Sequence, residues 1–152
     1  MTSAAPAQHP ALMVRAYQPE VDHQFVLTNW RRHIADLSPF CRWSHEEREA
    51  HAREVLEQLV SRAVPLMACD PEDAAHLYGF ICGEHQDRER QVLHFLYVSR
   101  WCRQRGFATA LLRHTFPALG KQTLYHTHPG AAAVFHRKRW LLRFNPYLAR
   151  QP

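Results

Sequence analysis

Apolar positions along the chain fall into two rhythms. "LMVRAY" reads as a first strand over residues 12–17, with Pro19 breaking the pattern. In "VDHQFVLTNWRRHIADL" the apolar residues Phe25, Val26, Trp30 and Ile34 recur at helical spacing. A helix is expected there, capped by Asp22 and closed by Ser38-Pro39. "SHEEREAHAREVLEQLVSRA" is the clearest helix: Ser44 and Glu47 have the spacing of a capping box. Ala52, Val55, Leu56, Leu59 and Val60 build its apolar stripe.

"VPLMACD" and "HLYGFICGE", joined by the turn "PEDAA", predict a hairpin. The charges of "HQDRER" nearly cancel, which marks a solvated turn. "QVLHFLYV" is apolar at both parities and is expected to run through the middle of a sheet covered on both faces. An arginine-rich turn follows, then a helix over roughly Ala108–Phe116, ended by Pro117 and Gly120. "QTLYHTH" reads as a strand, "PGAAAVFHRKRW" as a short helix and "LLRFNPYL" as a last strand. The order is strand, two helices, three strands, helix, strand, helix, strand. It indicates one α/β domain over residues 11–152, a mixed central sheet with helices on both faces. Residues 1–10, rich in Ala and Pro, are expected to form a flexible tail.

Composition narrows this picture only in places. With 152 residues, 46% of them hydrophobic, the chain can bury one real core. A formal charge of +5, with 12 histidines counted as neutral, suits an anionic ligand such as a nucleotide cofactor. Cys41, Cys69, Cys82 and Cys102 form no CxxC pair and are expected to be reduced core thiols. The N-terminus does not have the form of a signal peptide, and no stretch approaches the ~20 apolar residues of a membrane span. A cytoplasmic protein with no membrane partner is expected.

The stretch "WCRQRGFATALL", residues 101–112, carries the most chemistry. A strand that turns tightly into a helix leaves the first helical N–H groups without partners, and the helix dipole adds to their attraction for an anion. Gly106 lets the backbone approach a ligand closely, and Arg100, Arg103 and Arg105 surround the turn with positive charge. The same features describe a solvated basic turn, so alone they leave both readings open.

The R-x-x-G-x-A pattern of Arg103, Gly106 and Ala108, placed after a central strand, resembles the pyrophosphate loop of the GNAT acetyltransferase family. The likeness extends over roughly residues 12–149, although only the loop is motif-specific. It implies a GNAT-like fold that binds acetyl-CoA through Arg103, Gln104, Arg105, Gly106, Phe107, Ala108 and Thr109. It further implies that a backbone N–H near Tyr97 or Val98 polarises the thioester carbonyl. "LHFLYVSRWCRQRG" is similar to the matching segment of the arylalkylamine acetyltransferases, which carry two relay histidines on this strand. His94 matches the second and Val92 replaces the first. In length and in its "NPYL" ending the chain is also similar to short GNAT-like proteins of tailed phages.

For the general base the reading selects His94, because an imidazole titrates near neutral pH. An inert, hydrogen-bonded core histidine is the competing interpretation. For the general acid the sequence departs from the family: its tyrosine on the last helix aligns with Phe135. His136 follows, but one helical step turns a side chain by ~100°. Tyr125 and Tyr147 are the other candidates. His126 and His128, two apart on a strand, share a face, yet no third ligand is fixed by spacing and no metal site is assigned. They are expected to line the cleft instead. Trp30, Phe40 and Trp43 lie where the family builds its acceptor pocket, or belong to the ordinary core and surface.

The sequence therefore reads as an acetyl-CoA-dependent N-acetyltransferase acting on a primary amine of a small molecule or a peptide. The alternative is a catalytically reduced GNAT-like module that binds CoA or a protein partner. A single-stranded nucleic-acid site at "FHRKRW" ranks last, since solvated cations at a helix end account for the same residues.

Overall fold

The computed structural model describes residues 11–35, 42–86, 90–127 and 140–149. In chain order the elements are β1 (Met13–Ala16), α1 (Pro19–Ala35), α2 (His45–Arg62), β2 (Leu66–Cys69), β3 (Leu77–Gln86) and β4 (Arg90–Val98). They continue with α3 (Phe107–Thr115), β5 (Leu124–His126) and β6 (Leu142–Phe144). The six strands lie side by side in sequence order. β1 to β4 run antiparallel, whereas β4, β5 and β6 run parallel, so β4 joins the two halves.

α2 starts as its sequence dictates. The Ser44 hydroxyl accepts from the Glu47 amide at 3.2 Å, and the Glu47 carboxylate accepts from the Ser44 amide at 2.7 Å. Two backbone donors at the start of the helix are thus satisfied reciprocally. α1 corrects the expected cap. It begins at Pro19, whose fixed φ and missing N–H suit the first helical position, so Asp22 lies inside the first turn. From there its carboxylate reaches back to the Gln18 amide at 2.7 Å and takes the Arg15 guanidinium at 2.6 and 2.8 Å. The last strand is also shorter than expected. β6 ends at Phe144, and a 3-10 turn occupies Pro146–Ala149. The tail, the Ser38-Pro39 helix end, Phe40, Cys41, His128 and nearly all of "PGAAAVFHRKRW" lie outside the described residues.

Two cores sandwich the sheet. Trp30 of α1 and Leu56 and Leu59 of α2 pack with Phe80, Cys82 and Phe95 on one face. Leu111, Leu112 and Phe116 of the α3 segment pack with Ile81, Leu93 and Leu124 on the other. Trp30 stacks on Phe95 with centroids 5.1 Å apart, which makes it core and not pocket wall. Cys69 and Cys82 are buried free thiols. Cys82 donates to the Ala63 carbonyl, and burial pushes its thiol up. Among the described residues no helix is long and apolar enough to cross a membrane.

Both long strands carry one surplus residue. The β2–β3 register steps from Ala68↔Gly79 to Cys69↔Leu77, leaving Tyr78 over. The β3–β4 register steps from Cys82↔Phe95 to Gly83↔Leu93, leaving His94 over. Such bulges let consecutive side chains share a face. His94 and Phe95 both look toward the α1–α2 side, whereas Leu93 and Leu96 look toward α3.

Candidate functional site

The region between β4 and α3 is built to leave backbone donors free. Ser99 and a single 3-10 turn at Arg100–Cys102 follow β4, and Arg103 is extended. Its Nε returns to the Val98 carbonyl at 3.2 Å and braces the end of the strand. Gln104 has φ 64° and Gly106 has φ 83°, so the chain enters α3 through two left-handed residues. A Cβ on Gly106 would meet nothing within 4 Å. Gly106 caps α3 with no side chain, and the first turn contains no acidic residue. The helical geometry therefore leaves the amides of Phe107 and Ala108 without an acceptor inside the helix. Arg100, Arg103 and Arg105 are exposed around them, and Trp101, 81% exposed, lies 6.0 Å from the Arg100 guanidinium. Open space over a glycine, inward-turned donors and surrounding cations are what a pyrophosphate requires.

Tyr78 ties the two ends of this turn together. Its carbonyl accepts from the Ser99 amide at 2.7 Å, and its ring stacks on Phe107 at 5.2 Å. Its hydroxyl donates to Asp70 at 2.7 Å, a bond that pushes the phenol up to about 12. No pattern in the sequence singled out this residue.

The second feature is the edge of β4 beyond Leu93, to which no described strand is paired. Among the described residues β4 pairs with β5 over Gln91–Leu93, and the Thr127 amide adds a bond to the Leu93 carbonyl at 3.1 Å. On its other side β4 stays paired with β3 as far as Val98. Peptide groups alternate along a strand. Because the Ser99 amide points to β3, that of Val98 points away from β3 and that of Tyr97 points back to β3. Gly79 fits the close approach there, since a Cβ on it would lie 2.2 Å from the Tyr97 carbonyl oxygen.

His94 follows the last β4 residue paired with β5 among the described residues and has no exposed side-chain surface. Nε2 is 3.0 Å from Glu84 Oε1, and Nδ1 is 3.2 Å from Thr127 Oγ1. Glu84 Oε2 is paired with Arg62 Nε at 3.2 Å, and Gln86 donates to Oε1 at 2.7 Å. Arg62 also donates to the Leu148 carbonyl at 3.1 Å. Burial lowers the His94 pKa against the raising effect of Glu84. Burial raises Glu84, but the hydrogen bonds from His94 and Gln86 prevail and hold its carboxyl below the usual range. The imidazole is thus neutral at neutral pH while its carboxylate partner is charged.

Other expected residues fall elsewhere. His126 is buried, its ring 5.4 Å from Phe144, and so does not line an open cleft. Among the described residues no group of three His, Cys, Asp or Glu could hold a metal ion. Tyr125 lies against Arg90, and Tyr147 is 76% exposed in the last turn. Trp43 is exposed beside His51. Phe135 and His136 lie outside the described residues.

Residues 27–136 match the family model of the acetyltransferase (GNAT) family. A protein of Pyrococcus furiosus, named as a candidate acetyl transferase, is 18% identical and superposes with a TM-score of 0.50, covering 84% of this chain and 92% of that one. The PaiA N-acetyltransferase of Thermoplasma acidophilum, in complex with coenzyme A, is 18% identical with a TM-score of 0.45, covering 68% and 69%. The GNAT family N-acetyltransferase YhbS of Escherichia coli, in complex with CoA, is 19% identical with a TM-score of 0.46, covering 74% and 57%. No curated protein matches the chain.

Proposed function

Because the chain belongs to the acetyltransferase (GNAT) family and has its fold, we propose that it is a cytoplasmic acetyl-CoA-dependent N-acetyltransferase that transfers directly to a primary amine. The acceptor is the amine of a small molecule or a peptide. The observation that carries this reading is the turn into α3, where open space over Gly106, free backbone donors and three arginines coincide. The residues from Arg103 through Gln104, Arg105, Gly106, Phe107 and Ala108 to Thr109 would hold the pyrophosphate of the cofactor. Bound acetyl-CoA supplies an acyl thioester already activated toward amines.

The chain's own residues have two tasks beyond binding. An N–H donor must face the developing charge on the carbonyl, and we assign it to Val98, whose amide faces away from β3. Tyr97 then supports it from the paired side. A base must take the proton of the acceptor ammonium, and we assign this to His94, where the arylalkylamine acetyltransferases carry a relay histidine. Its neutral form, held by Glu84, is the form that can accept.

A catalytically reduced CoA-binding module is the second reading. Phe135, which has no hydroxyl to offer a departing thiolate, favours it.

Melting the protein with and without acetyl-CoA tests the binding claim. A ligand at a hundredfold excess over Kd stabilises the native state by about 2.7 kcal/mol. No shift at millimolar acetyl-CoA overturns the reading. Thiol release with a panel of primary amines then separates an enzyme from a binding module.

A further inference from the structure

His94 poses a problem that the geometry itself answers. Its ring has no exposed surface, so it cannot meet an acceptor amine directly. A carboxylate only accepts, so Nε2 carries the ring proton toward Glu84, and Nδ1 has the lone pair that takes the Thr127 O–H. The Glu84 end of the network is closed by Gln86 on one oxygen and Arg62 on the other. At the Thr127 end no described residue closes the network: this half-buried residue stands one position beyond β5, at the last bond between β4 and the β5 segment among the described residues.

We propose that the Thr127 hydroxyl is the relay through which a proton from the acceptor ammonium reaches His94. The inference rests on the assignment of His94 as base. An ammonium N–H bond breaks and its proton passes to Thr127 Oγ1, directly or through one water. The original Thr127 O–H bond breaks as that proton bonds to Nδ1. The amine recovers its lone pair, the threonine is again a neutral hydroxyl, and the ring becomes an imidazolium against Glu84. The charged groups facing the ring are Glu84 from β3 and Arg62 from α2, a pair with no net charge. The proton returns to solvent by the same path after turnover.

The test uses the full-length protein, with thiol release followed across pH at saturating acetyl-CoA. Thr127→Val keeps the shape and removes the hydroxyl. It is expected to lower kcat by a hundredfold or more, within the ~10²–10⁴ range of acid–base catalysis, with KM for acetyl-CoA nearly unchanged. Thr127→Ser is expected to restore most of the rate. A Thr127→Val enzyme with the wild-type rate and pH profile overturns the relay. If His94→Gln is then still impaired, the base assignment survives; if it too is unimpaired, both fall. Loss of rate in Thr127→Val with no rescue by serine also overturns the relay, in favour of a packing role. Nitrogen-15 NMR of the ring in the protein alone gives a readout without catalysis. The Nε2–H tautomer is expected, and an Nδ1–H tautomer overturns the relay because no lone pair then faces Thr127.

Discussion

The Glu84 carboxylate meets the His94 ring at 3.0 Å in the only stretch of β4 that sets two side chains in a row toward α1 and α2. The pair behaves as one unit: a charged acid beside a neutral base, with Arg62 balancing the acid.

That pairing fixes the pH dependence of the proposed reaction. The active form of His94 is neutral, and burial outweighs Glu84 in moving its pKa below the ordinary 6.5. The acid limb of kcat/KM is therefore expected below pH 6.5, and Glu84→Gln, which removes the raising partner, should move it lower still. A weaker base also gives a lower plateau, and the loss of the Glu84 charge opposite Arg62 should cost about 1–3 kcal/mol in urea unfolding. A limb above 6.5 in the wild type would contradict the assignment.

Gly106→Ala separates folding from binding. The left-handed backbone penalises alanine by about 1–2 kcal/mol, yet no neighbour lies within 4 Å to clash. A small drop in melting temperature is expected, with a much larger loss of acetyl-CoA affinity by calorimetry, because the new methyl enters the space kept for the ligand. Equal affinities would mean that the anion lies elsewhere.

Gly79→Ala should behave in the opposite way. The methyl would meet the backbone, with the Tyr97 oxygen at 2.2 Å and the Val98 Cα at 3.0 Å. β3 and β4 must separate, which is expected to lower stability by about 1–3 kcal/mol. It should also reduce kcat by displacing the Val98 amide. Unchanged chemical-denaturation midpoints would refute the close approach.

Asp22 predicts an acid-sensitive fold. Burial raises its pKa, but Arg15 and the Gln18 amide outweigh that and hold it below the ordinary 3.8. Its contribution is complete above the unfolded value and is lost as pH falls through the folded one. Asp22→Asn should destabilise at neutral pH by about 3 kcal/mol, since it leaves Arg15 without its buried partner. The difference from wild type should shrink toward pH 2 in thermal melts.

Much of this was legible from local pattern, because local interactions decide it. The Ser44–Glu47 cap is a contact three residues apart, and the α2 stripe repeats within one helix. The turn at Gly106 is visible because glycine alone adopts its conformation without strain. The start of α1 is not where the sequence suggests, because Asp is a frequent cap, whereas Asp22 lies inside the first turn and is engaged by Arg15 from β1. The partners of His94 could not be read at all. Glu84 and Thr127 lie 10 and 33 residues away, and only the fold brings them together. Because "QVLHFLYV" is apolar at both parities, nothing in its pattern marks the bulge at His94.

The two bulges imply that chemistry and architecture are encoded by different residues. Tyr78 and His94 are the positions that the ladders do not count, and they are also the positions that clamp the turn and hold the buried network. Deleting either would leave two evenly paired strands and every helix in place. A chain could therefore gain or shed these functions by single-residue insertion or loss, with its sheet intact, more simply than by exchanging any residue of its core.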